Sequence, residues 1–121
     1  MILVDTAVWI DHLRDDDAHL VDLLDRGQVL AHPWVTGELA LGSIRNRAEI
    51  LRLLDDLPQA LLANAAEIRE LIEQHELFDL GIGFVDAQLL AATMLTVDAK
   101  LWTRDRRLQA AAHRSGRAHS P

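Results

Sequence analysis

Apolar positions occur along this chain in two textures: short unbroken runs, and longer stretches with apolar residues three or four apart. Ile2-Leu3-Val4 is an unbroken run rich in β-branched residues, which predicts a strand buried on both faces. Val8, Trp9, Ile10 and Leu13 mark one face of a helix over 7–14, with Thr6 as its expected cap. Asp15-Asp16-Asp17 reads as a turn and a helix start. Leu20, Val21, Leu23 and Leu24 carry that second helix to Gly27. A second strand is expected over 28–31. Pro33 then opens a helix that carries Glu38 and runs to about Gly42, because a missing N–H costs little in a first turn. Ile50, Leu51, Leu53 and Leu54 define a helix over 45–54, stopped by Pro58. Residues 60–63 read as a weak third strand. Asn64 caps a helix with Ile68, Leu71, Ile72 and His75. After the Gly81-Ile82-Gly83 loop, a strongly apolar helix runs over 85–95 with Asp86 in its first turn. Leu101-Trp102-Thr103 is a fourth strand. Asp105 caps a helix to about His113, and 117–119 suits a short edge strand.

Short buried strands alternating with helices predict one α/β domain over 1–121. Its sheet would be parallel, of four to five short strands, with helices on both faces as a three-layer sandwich. The functional crevice of such folds lies at the carboxyl ends of the strands.

Composition then narrows the class. The chain has no cysteine, which excludes disulfides and thiolate metal sites and fits a reducing compartment. No apolar run reaches the ~18 residues of a membrane span, and no basic region precedes the first apolar run. A cytoplasmic protein is the expectation. The net charge of −7 is unevenly spread. Residues 1–99 hold six Lys+Arg against eighteen Asp+Glu, whereas residues 100–121 hold six against one. All the cations but Lys100 are arginines, whose planar fork suits phosphate.

The acids change the picture most. Asp5 closes the first strand and Asp105 follows the fourth. Glu38 and Asp86 fall in the first turns of helices that reach the same edge. Singly, Asp86 and Asp105 suit helix starts, and Glu38 suits a solvated face. Four carboxylates converging without a counter-charge would raise one another's pKa. A bound divalent cation removes that penalty, and hard oxygen ligands in this number suit Mg²⁺ or Mn²⁺.

The chain also resembles a family. Met1-Ile2-Leu3-Val4-Asp5-Thr6-Ala7-Val8-Trp9-Ile10 is similar to the opening of VapC-type PIN-domain toxins. The likeness continues through Val35-Thr36-Gly37-Glu38-Leu39, Gly81-Ile82-Gly83-Phe84-Val85-Asp86-Ala87 and Leu101-Trp102-Thr103-Arg104-Asp105. Ala7 departs from the expected Ser or Asn, at a position that ligates nothing. The resemblance implies a PIN-like sandwich and a metal-dependent endoribonuclease acting as the toxin of a type II toxin–antitoxin pair. It implies a VapB-like antitoxin partner, an RNA substrate and a homodimer. It maps the catalytic set onto Asp5, Glu38, Asp86, Asp105 and Thr103. In the reaction it implies, Asp5 and Asp86 hold Mg²⁺ or Mn²⁺, and Thr6, Arg104 and Arg107 are candidates for touching substrate.

Two other readings compete. Asp55-Asp56-Leu57-Pro58 faintly resembles the phospho-acceptor turn of a receiver-type signalling domain, though it follows a helix and Lys100 begins a strand. A catalytically inactive PIN-like binding domain is the other, against which the intact quartet argues. A haloacid-dehalogenase-like phosphatase needs an acid where Ala7 stands. Histidines 12, 19, 32, 75, 113 and 119 show no convincing pair and are expected at the surface. Trp9, Trp34 and Trp102 are expected in the core.

Overall fold

A computed structural model describes all 121 residues. In chain order the elements are β1 (Ile2–Val4), α1 (Thr6–Arg14), α2 (Ala18–Asp25), β2 (Val29–Leu30), α3 (Pro33–Ala40), α4 (Arg47–Asp56), α5 (Ala65–Gln74), α6 (Phe84–Leu95), β3 (Lys100–Trp102) and α7 (Arg106–Arg114). The strands form a parallel sheet in the order β2-β1-β3. Leu3 lies opposite Leu30 on one side and Leu101 on the other, so the first strand is central and the last one borders it. Every residue of β1 is buried, as its unbroken apolar run requires of a strand covered on both faces.

A small cluster joins Ala63 and Ile68 to Ala87 and Ala91 of α6, and the main core cluster is built on Leu3, Val8, Leu20, Leu39, Leu89, Leu90, Leu101 and Leu108, each fully or almost fully buried. Each such side chain contributes about 1.5–3 kcal/mol of burial. Helix α6 runs through this core and buries seven consecutive residues, Ala87 to Thr93. A polar group there must be satisfied internally, and the Thr93 hydroxyl donates to the Leu90 carbonyl at 2.6 Å.

The sheet has three strands, not four or five. The expected strand over 60–63 is reduced to a single bridge between Ala31 and Gln59. Ala31 alone pairs, donating to the Pro58 carbonyl at 2.8 Å and accepting from the Ala60 N–H at 2.9 Å. The chain then turns at His32 into α3, where Pro33 has no N–H to continue the ladder, and the Leu61 N–H goes instead to the Thr96 hydroxyl at 3.0 Å. The expected edge strand over 117–119 is likewise one bridge, Leu101 to Ala118, because β3 ends at Trp102 and offers nothing further to pair with. Four expectations fall differently in detail. Asp5, not Thr6, caps α1. Glu38 lies in the second turn of α3 rather than its first. His32 is completely buried. Trp34 is 43% exposed, while Trp9 and Trp102 are in the core.

The helix ends follow their cap residues. Asp17 accepts from the N–H groups of His19 and Leu20, and Asn64 forms a reciprocal capping box with Glu67. No helix is long and apolar enough to cross a membrane.

Candidate active site

Asp5 is fixed from both ends of the chain. Its N–H continues the β1–β3 ladder by donating to the Trp102 carbonyl at 3.0 Å. One carboxylate oxygen caps α1 by accepting from the Thr6 N–H at 2.7 Å. The other accepts from the Thr103 hydroxyl at 2.8 Å, across 98 residues of sequence. That buried hydroxyl accepts in turn from the Asp105 N–H at 3.1 Å. Asp105 caps α7, its Oδ1 accepting from Leu108 N–H at 2.9 Å. The first and last acids are therefore two ends of one hydrogen-bonded relay at the carboxyl edge of β1 and β3.

Helix starts bring up the others. Asp86 is the third residue of α6, and its Oδ2 accepts from the Gly83 N–H at 3.2 Å. Glu38 arrives on α3, and its side chain is exposed. The acids feel one another. Although Glu38 is largely exposed, its carboxyl group is partly desolvated, and this raises its pKa first, followed by the charge of Asp5; the Thr6 hydroxyl opposes the rise and Asp86 adds to it. The Asp86 carboxyl is also raised, first by burial; the Gly83 N–H opposes this, and the charges of Asp105 and Asp5 reinforce it.

No cation answers this cluster. None of the four acids forms an ion pair with any Arg or Lys. Thr6 Oγ1 lies buried beside Glu38, near enough to oppose the rise of its pKa but outside good hydrogen-bonding geometry. All the donors are hard oxygens, the set that suits Mg²⁺ or Mn²⁺. The acids stand apart, and no three of them already form a metal-coordinating group.

Of the candidate substrate arginines, Arg104 is paired with acids outside the quartet and Arg107 is not. Arg104 pairs with Asp11 at 2.9 Å and Asp17 at 3.4 Å, and lies 6.0 Å from the Trp102 ring centre. Arg107 lies over Gly81, so tightly that a Cβ there would meet its guanidinium at 2.8 Å. The exposed Arg107 side chain can swing aside, but Gly81 also has φ +75°, a backbone conformation that favours glycine. Arg107 thus packs on the loop that leads to Asp86.

Two hollows flank Glu38. One, of about 560 Å³, lies between Ile10, Leu13 and Arg14 of α1, Leu39 of α3, and the 42–45 loop with Arg45. The other, of about 600 Å³, is lined by Trp34, Gly37, Glu38, Leu41, Val85 and Asp86.

Sequence reasoning missed two histidine features. His32 caps α3 through Nδ1, which accepts from the Trp34 N–H at 3.1 Å; Nε2 must carry the ring proton, and it is buried without a partner. Burial lowers the His32 pKa to about 4. His19 and His119 do form a pair, Nε2 to Nε2 at 2.8 Å, with near-coplanar rings against Trp102. The 117–119 bridge that brings His119 there leaves no periodic signal in so short a segment. Asp55 and Asp56 sit exposed at the end of α4, away from the strand ends.

A family model described as "PIN domain" matches residues 2–114. Two curated relatives, each named "Ribonuclease VapC32", come from Mycobacterium tuberculosis strains CDC 1551 / Oshkosh and ATCC 25618 / H37Rv. Both are 49% identical over 116 residues, covering 96% of this chain and 94% of theirs. These matches set aside the receiver-type reading.

Proposed function

Because this chain belongs to the PIN-domain family and is of its VapC ribonuclease type, we propose that it is the toxin of a type II toxin–antitoxin pair, a metal-dependent endoribonuclease that hydrolyses RNA phosphodiesters. The observation that carries this reading is the approach of four carboxylates, from four distant segments, near enough for their charges to raise the Glu38 and Asp86 carboxyls yet with no Arg or Lys paired to any of them.

In this reading Asp5 and Asp86 hold Mg²⁺ or Mn²⁺. When bound, such an ion polarises the phosphate, offsets its charge and eases ionisation of water. Thr103 keeps Asp5 in one orientation through its hydrogen bond. Glu38, with its raised pKa, is suited to orient the attacking water and take its proton. Asp105 completes the acidic wall. The water oxygen forms the new bond to phosphorus in line with the departing 3′-oxygen, which leaves with a proton, so the product carries a 5′-phosphate. The expected experiment is RNA cleavage in Mg²⁺ or Mn²⁺ that stops with a chelator. Asp5→Asn and Asp86→Asn should each lower the rate by at least about a hundredfold with the fold intact. Cleavage undiminished in excess chelator overturns the metal assignment.

A VapB-like antitoxin is the proposed partner, and a homodimer the proposed assembly. The hollow beside α1 supports the former: its apolar floor of Ile10, Leu13, Leu39 and Ile44 suits one face of an amphipathic helix. Glu38 at its edge would accept an arginine from such a partner. Co-expression with the neighbouring small open reading frame should relieve growth arrest; toxicity indifferent to every neighbouring gene counts against the pairing.

A further inference from the structure

The hollow on the other side of Glu38 is not needed to hold the acids, yet it shares them. Trp34 is the one exposed tryptophan of three, and it stands one helical turn before Glu38 on α3. Residues so spaced are neighbours, with Cβ atoms about 5–6 Å apart. Leu41 and Val85 continue its apolar surface, and Glu38 and Asp86 form the wall. Gly37 supplies a second, independent observation. It sits inside α3, where glycine weakens a helix relative to alanine. Its backbone does not require glycine, and a Cβ built on it would meet nothing within 4 Å. Neither packing nor backbone geometry of the free chain accounts for this glycine. The bare spot leaves room beside the Trp34 ring.

We propose that Trp34 is the stacking platform for an unpaired RNA base next to the scissile phosphate, with Gly37 leaving the space that the base enters. The proposal rests on the ribonuclease reading and deepens it. A phosphodiester held at Glu38 and Asp86 places a neighbouring nucleoside within reach of this hollow. An indole face accepts any base, because every base has a π-face. A second protein copy fits the hollow less well. Covering Trp34 and Leu41 with a protein surface would also cover Glu38 and Asp86, stripping water from two carboxylates. A thin planar base leaves them open to the backbone it belongs to.

Asp105→Asn, which keeps Asp5 and Asp86, is the background for the binding test in Mg²⁺. A short single-stranded oligoribonucleotide should quench tryptophan fluorescence saturably, since Trp9 and Trp102 are buried and Trp34 is open to it. An abasic oligonucleotide of the same length should not. Trp34→Ala, followed by competition against a labelled oligonucleotide, should weaken binding roughly tenfold, whereas Trp34→Phe should stay within about threefold. Gly37→Ala should raise the melting temperature by a few degrees while weakening binding, a combination that a purely structural glycine does not give. In the parent enzyme Trp34→Ala should act mainly on KM. Equal binding by Trp34→Ala, equal quenching by the abasic probe, or a Trp34→Ala shift from dimer to monomer in light scattering would overturn the proposal. A parent protein that cleaves no RNA while base-dependent quenching persists sinks the ribonuclease reading and leaves the stacking site standing.

Discussion

At the scale of single residues, the site is held by a hydroxyl more than by any charge. Thr103 touches Asp5 through its oxygen and receives the Asp105 N–H on the same atom. Valine preserves its shape and removes both bonds. Thr103→Val should cost about 1–3 kcal/mol of stability, because the Asp105 N–H loses its acceptor and the Asp5 carboxylate a donor. RNA cleavage should fall by about ten- to a hundredfold, since a misplaced ligand costs more in rate than in folding. Circular dichroism beside a cleavage assay checks both. Full activity in the valine variant would remove Thr103 from the machinery. The acids and this threonine were legible in the sequence because their types and order carry the family pattern. Their mutual bonds were not, because no local rule links position 5 to position 103.

At the scale of elements, the unbroken run of β1 and the caps at Asn64 and Asp105 read correctly, since both signals are local. Segment 60–63 does not form a strand, because pairing depends on a neighbour's free N–H groups and the neighbour beyond Ala31 turns at once into α3, whose Pro33 has none. His32 was misjudged for a related reason: periodicity does not say which end of a helix is buried. Its burial has a measurable consequence. A histidine whose folded pKa is lowered to about 4 contributes stability above its unfolded value of 6.5. That contribution drains away as pH falls toward 4, because the unfolded chain takes up the proton first. Stability should therefore drop by about 2 kcal/mol between pH 7.5 and pH 5 from this residue alone. Asparagine also caps helices, so His32→Asn should flatten this slope while keeping α3. Urea midpoints at the two pH values decide it; an unchanged slope would mean that His32 does not titrate this way.

At the scale of the whole molecule, the acids behave as one object. Glu38→Gln or Asp105→Asn should each remove most of the activity, and adding Asp5→Asn to either should remove little more, as for groups sharing one task. Asp55→Asn and Asp56→Asn should leave cleavage unchanged. The repulsion within the cluster also predicts that Mg²⁺ stabilises the fold. The melting temperature should climb with Mg²⁺ concentration, by the equivalent of about 2.7 kcal/mol at a hundredfold excess over Kd, and Asp5→Asn should abolish the climb. A melting curve indifferent to Mg²⁺ and Mn²⁺ would sink this prediction. The basic end of the chain, which holds the candidate substrate residues Arg104 and Arg107, is partly consumed by internal pairs: Arg104 holds Asp11 and Asp17, and Arg114 lies 3.9 Å from Glu76. Charge counted along a sequence does not reveal which arginines are already spoken for.

Of the three strands the central one is synthesised first and its neighbour β3 last, with Thr103 and Asp105 just beyond it. A ribosome adding roughly 5–20 residues per second takes roughly 5–20 s to travel from Asp5 to Thr103. During that interval the emerging chain holds Asp5, Glu38 and later Asp86 but has nothing to lock the first of them in place. In the proposed reading the site is incomplete until Thr103 and Asp105 have been made, and a message broken before those codons yields a product that lacks the complete site. In that reading catalysis becomes available only once β3 and the residues just beyond it have left the machinery that makes them.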